Sequence, residues 1–312
     1  MSPNGGRDIK KGSGLLRGSK QLRFEFIAAQ AINYPVKILC RCMQVSRSGF
    51  YYWNTKPVSN RSKQNNTILL DIIRFFKRSH RNYGSPRIYK DLQEDKIQCS
   101  LNKVARMMHE NGIYSKLSIK HKKVKIPRNN VGFTANILDR KFDADHPNQK
   151  WVSDTTFIHT RQGWLYLATV LDLFSRKIVG WSMSKHNDTA LVIGALKMAI
   201  KNKPKEQEVL LHSDQGATYR AYAYLTLFKK NKIKQSMSNK GVCHDNAVAE
   251  SFFNTLKREL VNEQTYKNID EARSSIFEYI EIFYNKIRRH SYCDYESPDN
   301  FEKVFYNQQR SV

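Results

Sequence analysis

The apolar positions divide the chain into stretches of different rhythm. From Phe24 to about Gly112 they recur at three- and four-residue intervals, the signature of amphipathic helices. Val36, Leu39, Cys40 and Met43 keep that spacing, and Ser46 is placed to cap a second short helix, RSGFYYW. A helix, a turn and a basic, aromatic helix together predict a helix-turn-helix. A further helical group follows. Ile68 to Lys77 predicts one helix, and Ser85 and Pro86 predict the N-cap and first residue of the next, with Ile88 and Leu92 inward. Ser100 predicts the cap of another, where Leu101, Val104, Ala105 and Met108 fall on one face and Gly112 ends it.

The rhythm changes at Asn148. QKWVSDTTFIHT reads as a strand, GWLYLATVLDL as a nearly continuous apolar strand and RKIVGWSM as a third, joined by the short connections RQG and LFSR. A helix is predicted from Thr189 to Lys201, then a strand in EVLLHSD, a helix in YRAYAYLTLFKK, a short strand in IKQSMS and a strong helix in NAVAESFFNTLKREL. Three meandering strands followed by alternating helix and strand predict an α/β fold: a ribonuclease-H-like mixed sheet flanked by helices, preceded by an all-α region. The expected organisation is a flexible basic tail over 1–23, a helical DNA-binding region over 24–114, a basic linker over 115–139, the α/β core over 140–306 and a tail over 307–312.

Charge sharpens this picture. The 312 residues carry 53 Lys and Arg against 28 Asp and Glu, a net +25. Residues 1–150 hold 30 basic and 10 acidic side chains, net +20, and the remainder 23 and 18, net +5. An excess concentrated in one half points to a polyanionic partner, of which nucleic acid is the usual one. Residues 111–138 contain no acid but include Lys122 and Lys123, as expected of a segment lying along a phosphate backbone. Arg47 and Arg87, on the predicted helices, are further candidate DNA contacts. Mean hydropathy is −0.63, and no apolar run approaches the ~20 residues that span a bilayer. Five cysteines, an odd count without an apolar leader, suit reduced thiols and a cytoplasmic location.

Three carboxylates stand out by position. Asp154 interrupts a strand, where Asp is disfavoured. Asp214 closes the apolar strand VLLH at a Gln-Gly turn, and Glu250 lies in the last strong helix. Each has an ordinary explanation alone, as a bonded strand residue, a turn former and a surface helix residue, and Asp172 and Asp245 compete with them by composition.

The surrounding text carries more weight. WVSDTTFIHT, GWLYLATVLDLFSRKIVGW, LHSDQGATY, GVCHDNAVAESFFNTLKREL and YIEIFYNKIRRHSYCDYESP, with YPVKILCRCMQVSRSGFYYW and RNYGSPRI upstream, resemble the bacterial insertion-sequence transposases of the "family three" type. These are products of a second reading frame with a retroviral-integrase-like DDE core. The resemblance runs from roughly Phe24 to Phe305. It implies that Asp154, Asp214 and Glu250 are the catalytic, metal-holding acids, with 35 residues between the last two. It also implies two Mg2+ ions, replaceable by Mn2+, with Asp154 bridging them. Hard oxygen ligands suit such ions, and a two-metal site serves in-line phosphodiester displacement, first by water and then by a DNA 3′-OH.

The resemblance further suggests that Lys257, two turns beyond Glu250, and Asn246, one turn before it, position DNA or the site; the alternatives are an ordinary surface lysine and a helix-capping asparagine. The block from Tyr284 to His290, with Arg288 and Arg289, either clamps DNA or caps a helix C-terminus, and the resemblance favours DNA. His212, two residues before Asp214, either tunes the site or packs structurally. The expected partners are double-stranded terminal repeats and target DNA, further copies of the chain on DNA, and an upstream-frame helix-turn-helix protein as fusion or companion. The expected location is the nucleoid. Two other functions compete: a regulator that binds DNA ends without cutting, and a nuclease acting on RNA–DNA hybrids. The text departs from the commoner HSDQGSQY at Ala217 and Thr218, and from the usual aromatic at His244, but keeps every carboxylate.

Overall fold

A computed structural model describes residues 19–55, 60–116, 135–239 and 243–310. Lys122 and Lys123 lie outside the described residues. The chain forms two compact units, Met1–Ile68 and Leu69–Val312, and the division falls inside a continuous helix rather than at the end of the helical region.

In the first unit, α1 (Lys20–Gln30), α2 (Val36–Cys42) and α3 (Arg47–Thr55) enclose a small core of Ile27, Leu39, Cys40, Met43 and Phe50. Phe24 and Trp53 close it, with ring centroids 5.7 Å apart. The Ser19 hydroxyl accepts from the Leu22 amide at the start of α1, and Ser46 accepts from Gly49 at the start of α3, satisfying amides that the helices leave open. α4 (Asn60–Arg78) starts eight residues before the expected Ile68, because polar residues extend it where no apolar period marks it.

The second unit adds α5 (Ser85–Glu94) and α6 (Leu101–Glu110). Gly84, not Ser85, is the N-cap of α5, so Ser85 is the first helical residue and Pro86 the second. Ser100 caps α6 as its position suggests, accepting from Lys103, and Gly112 follows with φ +65°. The sheet comprises β1 (Lys150–Thr160), β2 (Gly163–Asp172), β3 (Ile178–Ser184), β4 (Val209–Ser213) and β5 (Ile233–Met237) in the order β3-β2-β1-β4-β5. The first three run antiparallel, and β4 and β5 run parallel to β1. α7 (Thr189–Asn202), α8 (Ala217–Arg220) and α9 (Tyr222–Lys230) build one core with the sheet. Leu191, Leu196, Tyr224 and Phe228 from these helices meet Trp151, Val170 and Leu211. Burying such side chains contributes roughly 1.5–3 kcal/mol each. Gly180 lets α7 press onto β3, since a Cβ there would run into the Ala195 carbonyl and the Ala199 amide. α10 (Ala247–Glu259) and α11 (Ile269–Phe277) also pack on the sheet, and α11 continues into a π-helical turn at Glu278–Tyr284. The last described helix is α12 (Pro298–Arg310). Among the described residues no helix is long and apolar enough to cross a membrane.

Buried ion pairs tie this unit together, and they correct the reading of the C-terminal basic block. Arg288 is 4% exposed and grips both oxygens of Glu259 on α10, at 2.7 Å from Nη2 and 2.9 Å from Nε; Tyr279 donates to the same carboxylate. Arg289 is 7% exposed and binds Asp91 and Glu94 on α5. Tyr83 accepts from the Arg289 amide and donates to the Ile287 carbonyl. Both guanidinia are committed to carboxylates rather than left free for a phosphate. They join α5 and α10 to the chain after the π-helical turn, which explains why α5 and α6 belong to the same unit as the sheet.

Removing one partner of such a pair leaves the other charged and buried, at a cost of about 3–5 kcal/mol. Arg288→Met is therefore expected to lower stability of the second unit by about that amount in urea titration. The double variant Arg288→Met with Glu259→Leu should recover most of the loss. A double variant as unstable as Arg288→Met would show that the stranded carboxylate is not the cause.

Candidate functional site

β1 and β4 pair in parallel at only three positions, Lys150↔Leu210, Trp151↔Leu211 and Val152↔His212. Continuing that register would set Asp154 opposite Asp214, just where the strands part. Parallel strand ends that diverge in this way form the crevices where α/β sheets take ligands. Among the described residues no strand of the sheet pairs with this edge of β1 from Ser153 onward, and other groups cover it. The Asn246 amide, at the start of α10, donates to the Ser153 carbonyl at 3.2 Å, and Thr160 bridges to Tyr266.

Asp154 is half-buried, and its Oδ1 accepts from the Thr155 amide at 2.7 Å. Burial pushes its carboxyl up to about 7; the Thr155 amide opposes this, Asp214 and Glu250 raise it further, and Lys257 lowers it. Asp154 thus lies within electrostatic reach of both other carboxylates and of Lys257. Asp214 is exposed at the end of β4, where its Oδ1 accepts from the Gly216 amide at 2.9 Å. A Cβ at position 216 would stand 2.9 Å from that same oxygen, so glycine permits the turn. Glu250 sits in the first turn of α10, where the helix dipole favours an anion. Among the described residues no group of three or more His, Cys, Asp or Glu side chains is gathered closely enough to chelate a metal.

Lys257 lies on the same helix, its Nζ 4.9 Å from the centre of the Phe157 ring. Burial pushes its ammonium down, and Asp154 acts the other way. Asn246 is 5% exposed, so its amide group braces β1 rather than meeting solvent. It occupies the N-cap position of α10, but its side chain makes no capping hydrogen bond.

His212 is fully buried between Ser236 at 2.8 Å from Nδ1 and Ser238 at 2.9 Å from Nε2. Ser236 Oγ already accepts the amides of Ile137 and Leu138, so its hydrogen goes to His212 Nδ1. Nε2 then carries the ring hydrogen and donates to Ser238, whose hydroxyl donates to the Ser213 carbonyl. Burial pushes the imidazole down to about 4. Of the two readings of His212 the structure favours the structural one. The ring fastens β4 to β5 just before Asp214.

The competing carboxylates have structural work of their own. Asp172 is fully buried and accepts from the amides of Asn148, Phe174 and Ser175. Asp245 accepts from Asn136, Arg140 and the Asn239 amide. Sequence reasoning missed both networks, whose donors are mainly backbone amides without a side-chain signature. Among the other basic candidates, Arg47 is exposed at the first residue of α3. Arg87 is half-buried, 5.6 Å from the centre of the Tyr83 ring, and burial and Arg288 push its guanidinium down.

Comparison with known proteins gives the arrangement a family. A family model described as an HTH-like domain matches residues 63–123, and two described as an integrase core domain match residues 144–243 and 231–298. The transposase InsF of insertion sequence IS3A from Escherichia coli is 35% identical over 283 residues, covering 90% of this chain and 98% of that protein. An uncharacterized 31 kDa protein of insertion element IS600 from Shigella sonnei is 36% identical over 268 residues, 86% of this chain and 98% of that protein. Among solved structures, the HTLV-2 integrase catalytic core in complex with magnesium aligns at a TM-score of 0.39 and 16% identity, over 50% of this chain and 97% of that one. With identity of 35% across nine-tenths of its length and integrase-core matches over its sheet and α10, the chain belongs to the family of insertion-sequence DNA transposases.

Proposed function

We propose that the chain cuts the ends of its element and joins them to target DNA at Asp154, Asp214 and Glu250. The observation that carries this reading is the register that sets Asp154 opposite Asp214 where β1 and β4 part, with Glu250 in the first turn of α10 near enough to act on Asp154, in a chain of this family.

The donor set fits divalent cations. It is made of hard carboxylate oxygens; Asp214 and Glu250 raise the Asp154 carboxyl, and Lys257 lowers it. Asp154, Asp214 and Glu250 would hold Mg2+ or Mn2+. Two such ions, when bound, supply activation of the attacking oxygen and stabilisation of the leaving oxygen. The chain's own residues do the rest. β1 and β4 hold the two aspartates on adjacent strands, α10 brings Glu250 and Lys257 to them, and Asn246 and His212 fix the strands. Lys257 is placed to take a DNA phosphate beside the scissile bond. Arg47, and Lys122 and Lys123 in the basic segment, are further candidate contacts to duplex phosphates. No serine, cysteine or tyrosine nucleophile is required, because water and the DNA 3′-OH attack in turn. Two ends must be handled together, so we expect a homo-oligomer on DNA, with an upstream-frame helix-turn-helix protein as fusion or companion. Its place would be the cytoplasm, at the nucleoid.

The first test is nicking of supercoiled plasmid with Mg2+, Mn2+ or EDTA. Wild-type protein should nick only with metal, and Asp214→Asn should lose nicking while still binding DNA. Undiminished nicking by Asp214→Asn would overturn the site, and binding without any cleavage would favour the regulator.

Metal loading has a signature independent of cleavage. Asp154 is raised from 3.8 to about 7, so the folded protein holds its proton more tightly than the unfolded chain between those values. Its stabilising contribution is complete below 3.8 and lost as pH rises through 7. A cation replaces the proton, so the melting-temperature gain from Mn2+ should be larger at pH 8 than at pH 6. Asp154→Asn should abolish that difference. An equal Mn2+ effect in Asp154→Asn would show that the cation binds elsewhere.

Lys257→Ala should weaken DNA binding and flatten its salt dependence by about one phosphate contact. An unchanged salt slope would place Lys257 away from the backbone.

A further inference from the structure

The β1–β2 hairpin extends beyond the carboxylates and carries aromatic rings that the core does not use. Phe157 is 53% exposed and Trp164 47%, and His159 is also exposed. His159 pairs with Trp164 across the strands. The Trp164 ring meets Phe157 at 5.1 Å and His159 at 5.0 Å between centroids, edge to face in both cases. Lys257 lies over the Phe157 ring, which links this cluster by a cation–π contact to the helix bearing Glu250. Phe157 is three residues past Asp154, so it projects from the other face of β1, roughly 10 Å along the strand. The link to the carboxylates runs through Lys257, whose ammonium feels Asp154 and lies over the Phe157 ring.

Cross-strand aromatic pairs stabilise a hairpin by themselves, yet this arrangement leaves much of two large rings in water. An ammonium group beside half-exposed aromatic rings is complementary to one kind of group in particular. A nucleotide offers a flat π-face for the rings and a phosphate for the amine. Bases inside a duplex are already stacked on one another, so the free face belongs to an unpaired base. We infer that Phe157, His159 and Trp164, with Lys257, form a stacking platform for an unpaired nucleotide of the DNA end held at the carboxylates. The inference rests on the transposase reading above, and gives the hairpin a positioning role. The rings hold the strand beside the scissile phosphate and take no part in bond making.

The test uses the full chain and two duplexes of the same sequence at one salt concentration. One is blunt, and the other bears a short single-stranded overhang containing 2-aminopurine. Wild-type protein should prefer the overhang and quench its fluorescence. Trp164→Ala should lower affinity for the overhang by about 5-fold or more, on the scale of one base–aromatic stack, and leave the blunt duplex unchanged. Trp164→Phe should restore most of the preference. Trp164→Leu keeps apolar bulk without a π-face, so it should behave like Trp164→Ala even if the smaller side chain weakens the hairpin. Equal overhang binding by wild type and Trp164→Leu, or equal losses on both duplexes, would overturn the platform. Metal-dependent plasmid nicking without overhang preference would sink the platform and leave the transposase reading intact. Overhang stacking without nicking under any metal would do the reverse.

Discussion

The parting of β1 from β4 after Val152 is the constraint on which the rest of the site depends. While the strands pair, their backbone groups satisfy each other and leave no room for a ligand. Once they part, β1 exposes an edge whose carbonyl and amide groups need partners inside a largely buried region. Asn246 and Tyr266 meet that need, and this fixes where α10 starts and where the chain after it must run. Glu250 and Lys257 then follow from helical geometry, one turn and three turns beyond Asn246. The site is thus a defect in sheet pairing, closed on one side by a helix and left open on the other.

The price of gathering acids there is repulsion, and the fold keeps that repulsion local. Asp172 is held by backbone amides, and Asp245 by the Arg140 guanidinium, Asn136 and the Asn239 amide. Glu259, on the same helix as Glu250, is neutralised by Arg288 at the far end. One helix therefore carries two glutamates with opposite fates, one committed to a buried guanidinium and the other left beside two aspartates.

This contrast explains what could be read in the sequence. The strands were legible because long apolar runs such as GWLYLATVLD have no other place than a sheet buried on both faces. The capping serines at positions 46 and 100 were legible because a cap is a local device. Asp154, Asp214 and Glu250 stand out by their surrounding motifs, whereas only the register of β1 against β4 sets Asp154 opposite Asp214. Arg288 and Arg289 leave both a DNA clamp and a helix cap open in the sequence, for a physical reason. A run of basic residues looks the same whether it faces phosphate or buried carboxylate, and the carboxylates that settle the matter, Glu259 and Asp91, lie far away along the chain. The N-cap of α5 was displaced by one residue because Ser85 and Gly84 are both acceptable caps, and only the backbone angle at Gly84 selects between them.

The hydrogen-bond chain through Ser236, His212 and Ser238 has a consequence for the charge balance of the site. Its direction is set at one end by two backbone amides and at the other by a backbone carbonyl, so every member is fixed by main chain that other side chains cannot easily alter. A histidine held this way remains neutral until about pH 4. The end of β4 is therefore anchored by polarity without charge, in a neighbourhood where an added charge would change how the carboxylates ionise. The link from β4 to β5 beneath Asp214 thus adds no charge of its own to the acids.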